Sequence, residues 1–213
     1  MKQEVIDIDR KIPLNKDNVF SLLDCSRDNP VYEELSQCYE ERVPWLLEHV
    51  QPRVMLAREI PDTRLNECLS LPKDCTGILY AVLTLGRGPE EESRRCFLQG
   101  DYLEGMLVDA MADVYLFAME AAVMPEIRKV CAVDGAGILK RMEAPGDFPM
   151  EFHKYIFEKC GLDLCMDMKL TSGYMFDPVK TSCLVFVQGG DSSLFHAQHD
   201  CARCTAKNCP LRR

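Results

Sequence analysis

Met150–Gly190, MEFHKYIFEKCGLDLCMDMKLTSGYMFDPVKTSCLVFVQGG, decides the fold class of this 213-residue chain. Its first part, Met150 to Cys160, sets Phe152, Tyr155, Ile156 and Cys160 at helical spacing, and Gly161 supplies a stop. Leu162 to Leu170 then alternates: Leu162, Leu164, Met166, Met168 and Leu170 against Asp163, Cys165, Asp167 and Lys169. That period of two predicts a half-exposed strand. Pro178 interrupts, and Thr181 to Gln188 resumes as a β-rich run ending at Gly189-Gly190.

Outward from this block, helices and strands are segregated rather than strictly alternating. Thr76 to Gly86 is an apolar run that predicts a strand buried on both faces. It leads through Gly86-Arg-Gly-Pro89 into a helix with Glu90, Glu91 and Glu92 in its first turn. This is a poor phosphate loop: a third glycine and a Gly-Lys-Ser/Thr are missing, and three glutamates repel phosphate. Val54 to Ile60 predicts a strand; Asp17 to Arg27 and Asp62 to Leu71 predict short helices. Asn29-Pro30 opens a helix whose stripe is Tyr32, Leu35, Tyr39, Val43, Leu46 and Leu47, with Pro44 expected to kink or break it. A long helix starts near Asp101, carrying Leu103, Met106, Leu107, Ala110, Met111, Val114 and Phe117 on one face. Its apolar core, Val114 to Met124, is interrupted by Glu120 and is too short to span a bilayer. The expected architecture is α+β, an antiparallel-rich twisted sheet packed with helices over residues 1–190. Gly189 to Ser193 links it to a short cysteine-rich tail, residues 191–213.

The chain is long enough for one large domain, or one with a small appendage, without disulfide support. A formal charge of −9 argues against a nucleic-acid surface. The tail is locally basic, with Arg203, Lys207, Arg212 and Arg213 against Asp200. Of 12 cysteines, Cys25, Cys38, Cys68, Cys96, Cys131 and Cys160 stand where small core residues would. Met1 to Asp17 alternates charge with aliphatics and has no secretory apolar region, so reduced thiols and a cytoplasmic setting are expected.

Two places carry chemistry. Cys201, Cys204 and Cys209 form a C-x2-C-x4-C run that reads as a metal clamp for zinc or an iron–sulfur cluster. A fourth ligand is open between His199, His196, a remote cysteine and a partner's group; the alternative is three reduced thiols on a loose end. The second place pairs Arg141-Met-Glu-Ala144-Pro145-Gly146 with Tyr174. A guanidinium grips a carboxylate through two parallel hydrogen bonds, a Pro-Gly turn leaves backbone open to a ligand, and a tyrosine offers a flat face and a hydroxyl.

Nearly end to end, the chain resembles the reactivation (activation) domain of cobalamin-dependent methionine synthase, in its stand-alone form. The resemblance is carried most specifically by Arg141 to Gly146, which looks like that family's Arg-x-Ser-Pro-Gly-Tyr ligand loop. Leu170 to Ser182 looks like its Leu-Thr-x-Ser-x-Met-x-Pro-x-x-Ser segment. Asp17 to Leu23, Thr84-Leu-Gly86, Gly100 to Glu120 and the cysteine tail are compatible with it. The resemblance implies that family's fold and S-adenosylmethionine binding, with Arg141 on the methionine carboxylate. It implies the Ala144-Pro145-Gly146 backbone at the amino-acid and adenine groups, and Tyr174 beside the ligand. The implied partner is a corrinoid-binding methyltransferase carrying cobalamin, with an electron donor as a possible second partner and no nucleic acid or membrane. The implied role is reductive reactivation of that partner by remethylation rather than an independent enzyme activity. The alternatives are a docking module that has lost S-adenosylmethionine, or a thiol or iron–sulfur redox protein acting through the tail. This sequence departs from the family pattern in four ways. Asp147 follows Gly146 where the family has Tyr, and one extra residue separates Arg141 from Pro145. Phe117 aligns with a ligand-binding Glu, Glu120 being one turn away but not equivalent, and Gly173 replaces a Ser.

Overall fold

A computed structural model of the chain describes residues 2–202 and Cys209. Its strands are β1 (Lys2–Asp7), β2 (Arg53–Glu59), β3 (Cys75–Thr84), β4 (Gly137–Met142), β5 (Lys169–Leu170), β6 (Phe176–Asp177) and β7 (Thr181–Gly189). Its helices are α1 (Lys16–Leu22), α2 (Tyr32–His49), α3 (Thr63–Leu69), α4 (Gly88–Gln99), α5 (Tyr102–Val133), α6 (Phe152–Cys160) and α7 (Leu162–Cys165). Five strands make one sheet in the order β1-β2-β3-β7-β4, with every neighbouring pair antiparallel. The fold is α+β, as expected. β5 and β6 pair separately as a small hairpin.

Helices cover both sheet faces, which is why β3 shows no alternation. Leu79, Ala81 and Leu83 face a core built with α1, α2 and α5. Ile78, Tyr80 and Val82 face a second core built with α3, α6 and α7. Each of these six side chains is at most 1% exposed. Burying a large aliphatic side chain stabilises by about 1.5–3 kcal/mol, so this central strand anchors both layers. α5 runs between the sheet and helices α1, α2 and α4, so it is buried on several sides at once. No helix among the described residues is long and apolar enough to cross a membrane.

Local signals set the helix ends. Asn15 caps α1 by accepting from the Asn18 N–H, and Asp62 caps α3 by accepting from Leu65. Gly100 and Gly161 end α4 and α6 in the left-handed conformation, which glycine adopts without a Cβ penalty.

Several expectations are corrected. Leu162 to Leu170 is not a strand but α7 followed by the two-residue β5. The Leu162 carbonyl accepts from Met166 N, so the Leu162/Met166 spacing is one helical turn, and Leu164 is 89% exposed. An apparent period of two over so short a run fits a turn as well as a strand. Pro44 does not end α2, which is one helix with Leu35, Tyr39 and Leu46 buried on either side of it. α1 ends at Leu22, short of Arg27, and Asp24 takes a positive φ. On α5, Met106 and Phe117 are exposed rather than core, while Met119, Val123 and Ile127 are buried. Cys68 is exposed and Cys38 half-buried, whereas Cys25, Cys96, Cys131 and Cys160 lie in the core. Edge strands β1 and β4 have no counterpart in the sequence reading.

Candidate functional site

Arg141 lies on β4, opposite Phe186 of β7. A register shift between Ile138 and Lys140 resets which residues face which side. Met142 then joins the core under α6, and Arg141 reaches to α5. The outer edge of β4 is not bare. Ile138 N donates to Leu194 O at 2.9 Å, and His196 N donates to Ile138 O at 2.9 Å, so residues 194–196 run parallel along it. Phe195 packs under the Arg128 guanidinium, 3.9 Å from the ring centre.

Two carboxylates hold Arg141. Nη2 donates to Glu120 Oε2 at 2.6 Å, and Nε donates to Glu143 Oε1 at 2.6 Å. Glu120 is steadied by the Ser182 hydroxyl at 2.6 Å, and Glu143 also accepts from His199 Nδ1 at 2.9 Å. The Arg141 and Glu120 side chains are 8% and 11% exposed. Burial opposes the charge on Arg141, but the fields of Glu120 and Glu143 outweigh it and hold its pKa above the usual arginine value. Nη1 makes no hydrogen bond among the described residues, yet it is not sealed; Arg53 Nε is the buried side-chain polar atom that lacks a partner there.

Arg141 lines a cleft of about 640 Å³. One wall is Glu143, Ala144, Pro145, Gly146 and Asp147; the other is Phe195, His196, Gln198, His199 and Asp200. Asp147 clasps the first wall. Its carboxylate accepts from Glu143 N at 3.1 Å and pairs with Lys140 at 2.6 Å, and its own N–H donates to Glu143 O at 2.8 Å. Gly146 faces open space, since a Cβ there would meet only Glu143 O at 3.8 Å.

Arg141, Ala144, Pro145, Gly146 and His199 thus share one cleft. Tyr174 does not line it. It sits half-buried at φ +61 in the β5–β6 turn, and its carbonyl accepts from His153 Nδ1 at 3.0 Å. Burial holds His153 below its usual pKa, against the pull of that hydrogen bond. In the expected metal clamp, Cys201 and Cys209 are half-buried, Cys204 lies outside the described residues, and His199 is engaged by Glu143. No group of three or more metal-ligating side chains occurs among the described residues.

Phe117, which stands where the family has a ligand-binding Glu, is 51% exposed, and Glu120, one turn on and not equivalent to it, is the α5 carboxylate that meets Arg141. The signal was present: Glu120 is a lone carboxylate inside an apolar run, and a buried carboxylate requires a partner. A second ionic cluster links α5 to the residue just before β7. Lys180, 7% exposed, pairs with Asp109 at 2.8 Å and Asp113 at 2.7 Å.

No protein-family model matches the chain, and no curated protein matches it. Among solved structures it is similar to the MetH reactivation domain bound to AdoHcy, with a TM-score of 0.65 and 12% sequence identity. That likeness covers 94% of this chain and 82% of the other. At so low an identity it rests on the arrangement of elements and not on shared residues. The chain has the fold of the MetH reactivation domain.

Proposed function

We propose that the chain binds S-adenosylmethionine in the cleft beside Arg141 and presents it to a corrinoid held by a partner protein, supporting reductive remethylation of a cobalamin-dependent methyltransferase. One observation carries this reading: the chain has the fold of a domain solved with AdoHcy. A cleft of about 640 Å³ lined by Arg141 and the Ala144-Pro145-Gly146 loop supports it. AdoHcy is what S-adenosylmethionine becomes when its methyl leaves. The volume suits a nucleoside-sized ligand. In this reading Nη1 of Arg141, which makes no hydrogen bond among the described residues, receives the α-carboxylate, and the Pro145-Gly146 turn lets adenine or the amino-acid group approach backbone atoms.

When bound, S-adenosylmethionine supplies an electrophilic methyl. The residues of this chain orient it: Arg141 anchors one end, and the two cleft walls fix direction and exclude water. No side chain has to move a proton. A role for Tyr174 requires the β5–β6 turn to lie beside the methyl end of the ligand. Cys201, Cys204 and Cys209 carry the chemistry of a zinc or iron–sulfur clamp.

The test is anaerobic calorimetric titration with S-adenosylmethionine, with metal analysis on the same sample. Saturable binding is expected, and Arg141→Ala should weaken it about 10–100-fold, the worth of one charged hydrogen bond. No binding at millimolar ligand would remove this reading. It would favour a docking module without methyl donor, which the double engagement of Arg141 by Glu120 and Glu143 also suits.

A further inference from the structure

The outer edge of β4 is covered by chain from beyond the last strand. β7 ends at Gly189, opposite Gly137 at the start of β4. The chain then crosses Gly137 so closely that a Cβ there would stand 1.9 Å from Asp191 O and 2.7 Å from Leu194 O, so the crossing requires glycine. Asp191 fixes the turn by accepting from the Ser193 N–H at 2.9 Å and from the Ser193 hydroxyl at 2.6 Å. Beyond it the chain runs parallel to β4, with Phe195 beside Ile138. In that register Glu143 falls beside His199, and their side chains meet at 2.9 Å. One wall of the Arg141 cleft is thus the loop that continues β4. The other is a strap, residues 191–200, placed there by pairing with β4.

The strap is held unevenly. At its root Ile138 N–H donates to Leu194 O and His196 N–H donates to Ile138 O, and Ala197 is 1% exposed in the core shared with α5. Its outer part, Gln198, His199 and Asp200, is exposed and lines the cleft. The His199–Glu143 contact joins two partly exposed side chains, and solvent screens such pairs. A segment so held opens at a lower free energy than the sheet beneath it, and the cleft loses a wall when it does. Resting on the S-adenosyl reading above, we infer that residues 191–200 are a ligand-coupled wall: ligand in the cleft holds the strap against β4, and a strap displaced from β4 releases the ligand. Gly137 and Ala197 are positioning residues, since they act on the ligand through the strap. The coupling is reciprocal, so the affinity gained from a docked strap returns as strap stability when ligand is bound.

Hydrogen exchange on the wild-type full chain, with and without S-adenosylmethionine at about 100 times its Kd, measures this without a variant. The His196 and Ile138 amides should exchange at least about tenfold more slowly with ligand, because a ligand that leaves when the strap opens adds its binding free energy to the cost of opening. The Ile8 amide, which donates to Pro52 O at the opposite edge of the sheet, should not slow. Calorimetry on Gly137→Ala, with circular dichroism to confirm folding, should show binding weakened about tenfold together with lost protection at both strap amides. Ligand that binds wild type without slowing His196 and Ile138, or that slows Ile8 as much, overturns the inference and leaves the S-adenosyl reading standing. So does a folded Gly137→Ala chain that keeps its affinity, or that loses it with both amides still protected. No binding to wild type removes the S-adenosyl reading itself, and this inference with it.

Discussion

Arg141→Met, paired with Glu120→Gln, tests whether the ionic cluster under the cleft is a buried structural unit. Removing the guanidinium leaves Glu120 at 11% exposure with Ser182 as its remaining hydrogen-bond donor. Breaking a buried pair by deleting one partner destabilises by about 3–5 kcal/mol. Glu143 is a third exposed and solvent screens it, so the lower end applies, about 3 kcal/mol. For a chain of this size that lowers Tm by roughly 6–12 °C. The double variant removes the stranded charge and keeps the side-chain volume. It should recover at least about 1 kcal/mol relative to Arg141→Met alone, a coupling expected of residues in direct contact. Urea unfolding of the four-member cycle, read at unchanged m-value, measures it. A single variant within about 0.5 kcal/mol of wild type would refute the reasoning, since that is the range of ordinary surface changes. A double variant no more stable than the single would refute it equally.

Three other outcomes follow. His153, held below its usual pKa by burial among Phe148 and Phe176, binds fewer protons folded than unfolded, so its contribution is intact above the unfolded value near 6.5 and lost as pH falls through the folded one. Stability below about pH 6.5 should therefore fall less steeply in His153→Gln, and an unchanged urea-midpoint profile would count against this. Gly137→Ala would put a Cβ 1.9 Å from Asp191 O, a backbone clash, so residues 191–196 should lose their place along β4. Hydrogen exchange should then show lost protection at Ile138 and His196, and retained protection there would contradict the assigned pairing. Thiol labelling of the native chain should modify exposed Cys68 early, whereas Cys160, whose thiol burial pushes up to about 12, should react only on unfolding. Early modification of Cys160 would show that its pocket opens in the native state.

Much of the fold is legible in the chain because its signals are local. Gly161 stops α6, Asp62 caps α3, and the unbroken apolar run of β3 reports burial on both faces. The edge strands are not legible. β1 is mostly exposed and mixed in character, and β4 is six residues long with a register shift that scrambles its alternation. Pro44 misled because tertiary burial of Leu35, Tyr39 and Leu46 holds together a helix whose local propensity argues for a break.

By itself the sequence determined the fold class and the central strands, which depend on residue type and near-neighbour spacing. The ligand role of Arg141 with Ala144-Pro145-Gly146 is an expectation drawn from the family resemblance, and the structure puts these residues along one cleft. Tertiary structure alone decided that Glu120 rather than Phe117 meets Arg141, that residues 195–200 form the opposite wall, and that Tyr174 stands outside the cleft. The physical reason is rotational. Glu120 and Phe117 are three residues apart on α5, and only the packing of that helix against the sheet fixes which one turns toward β4.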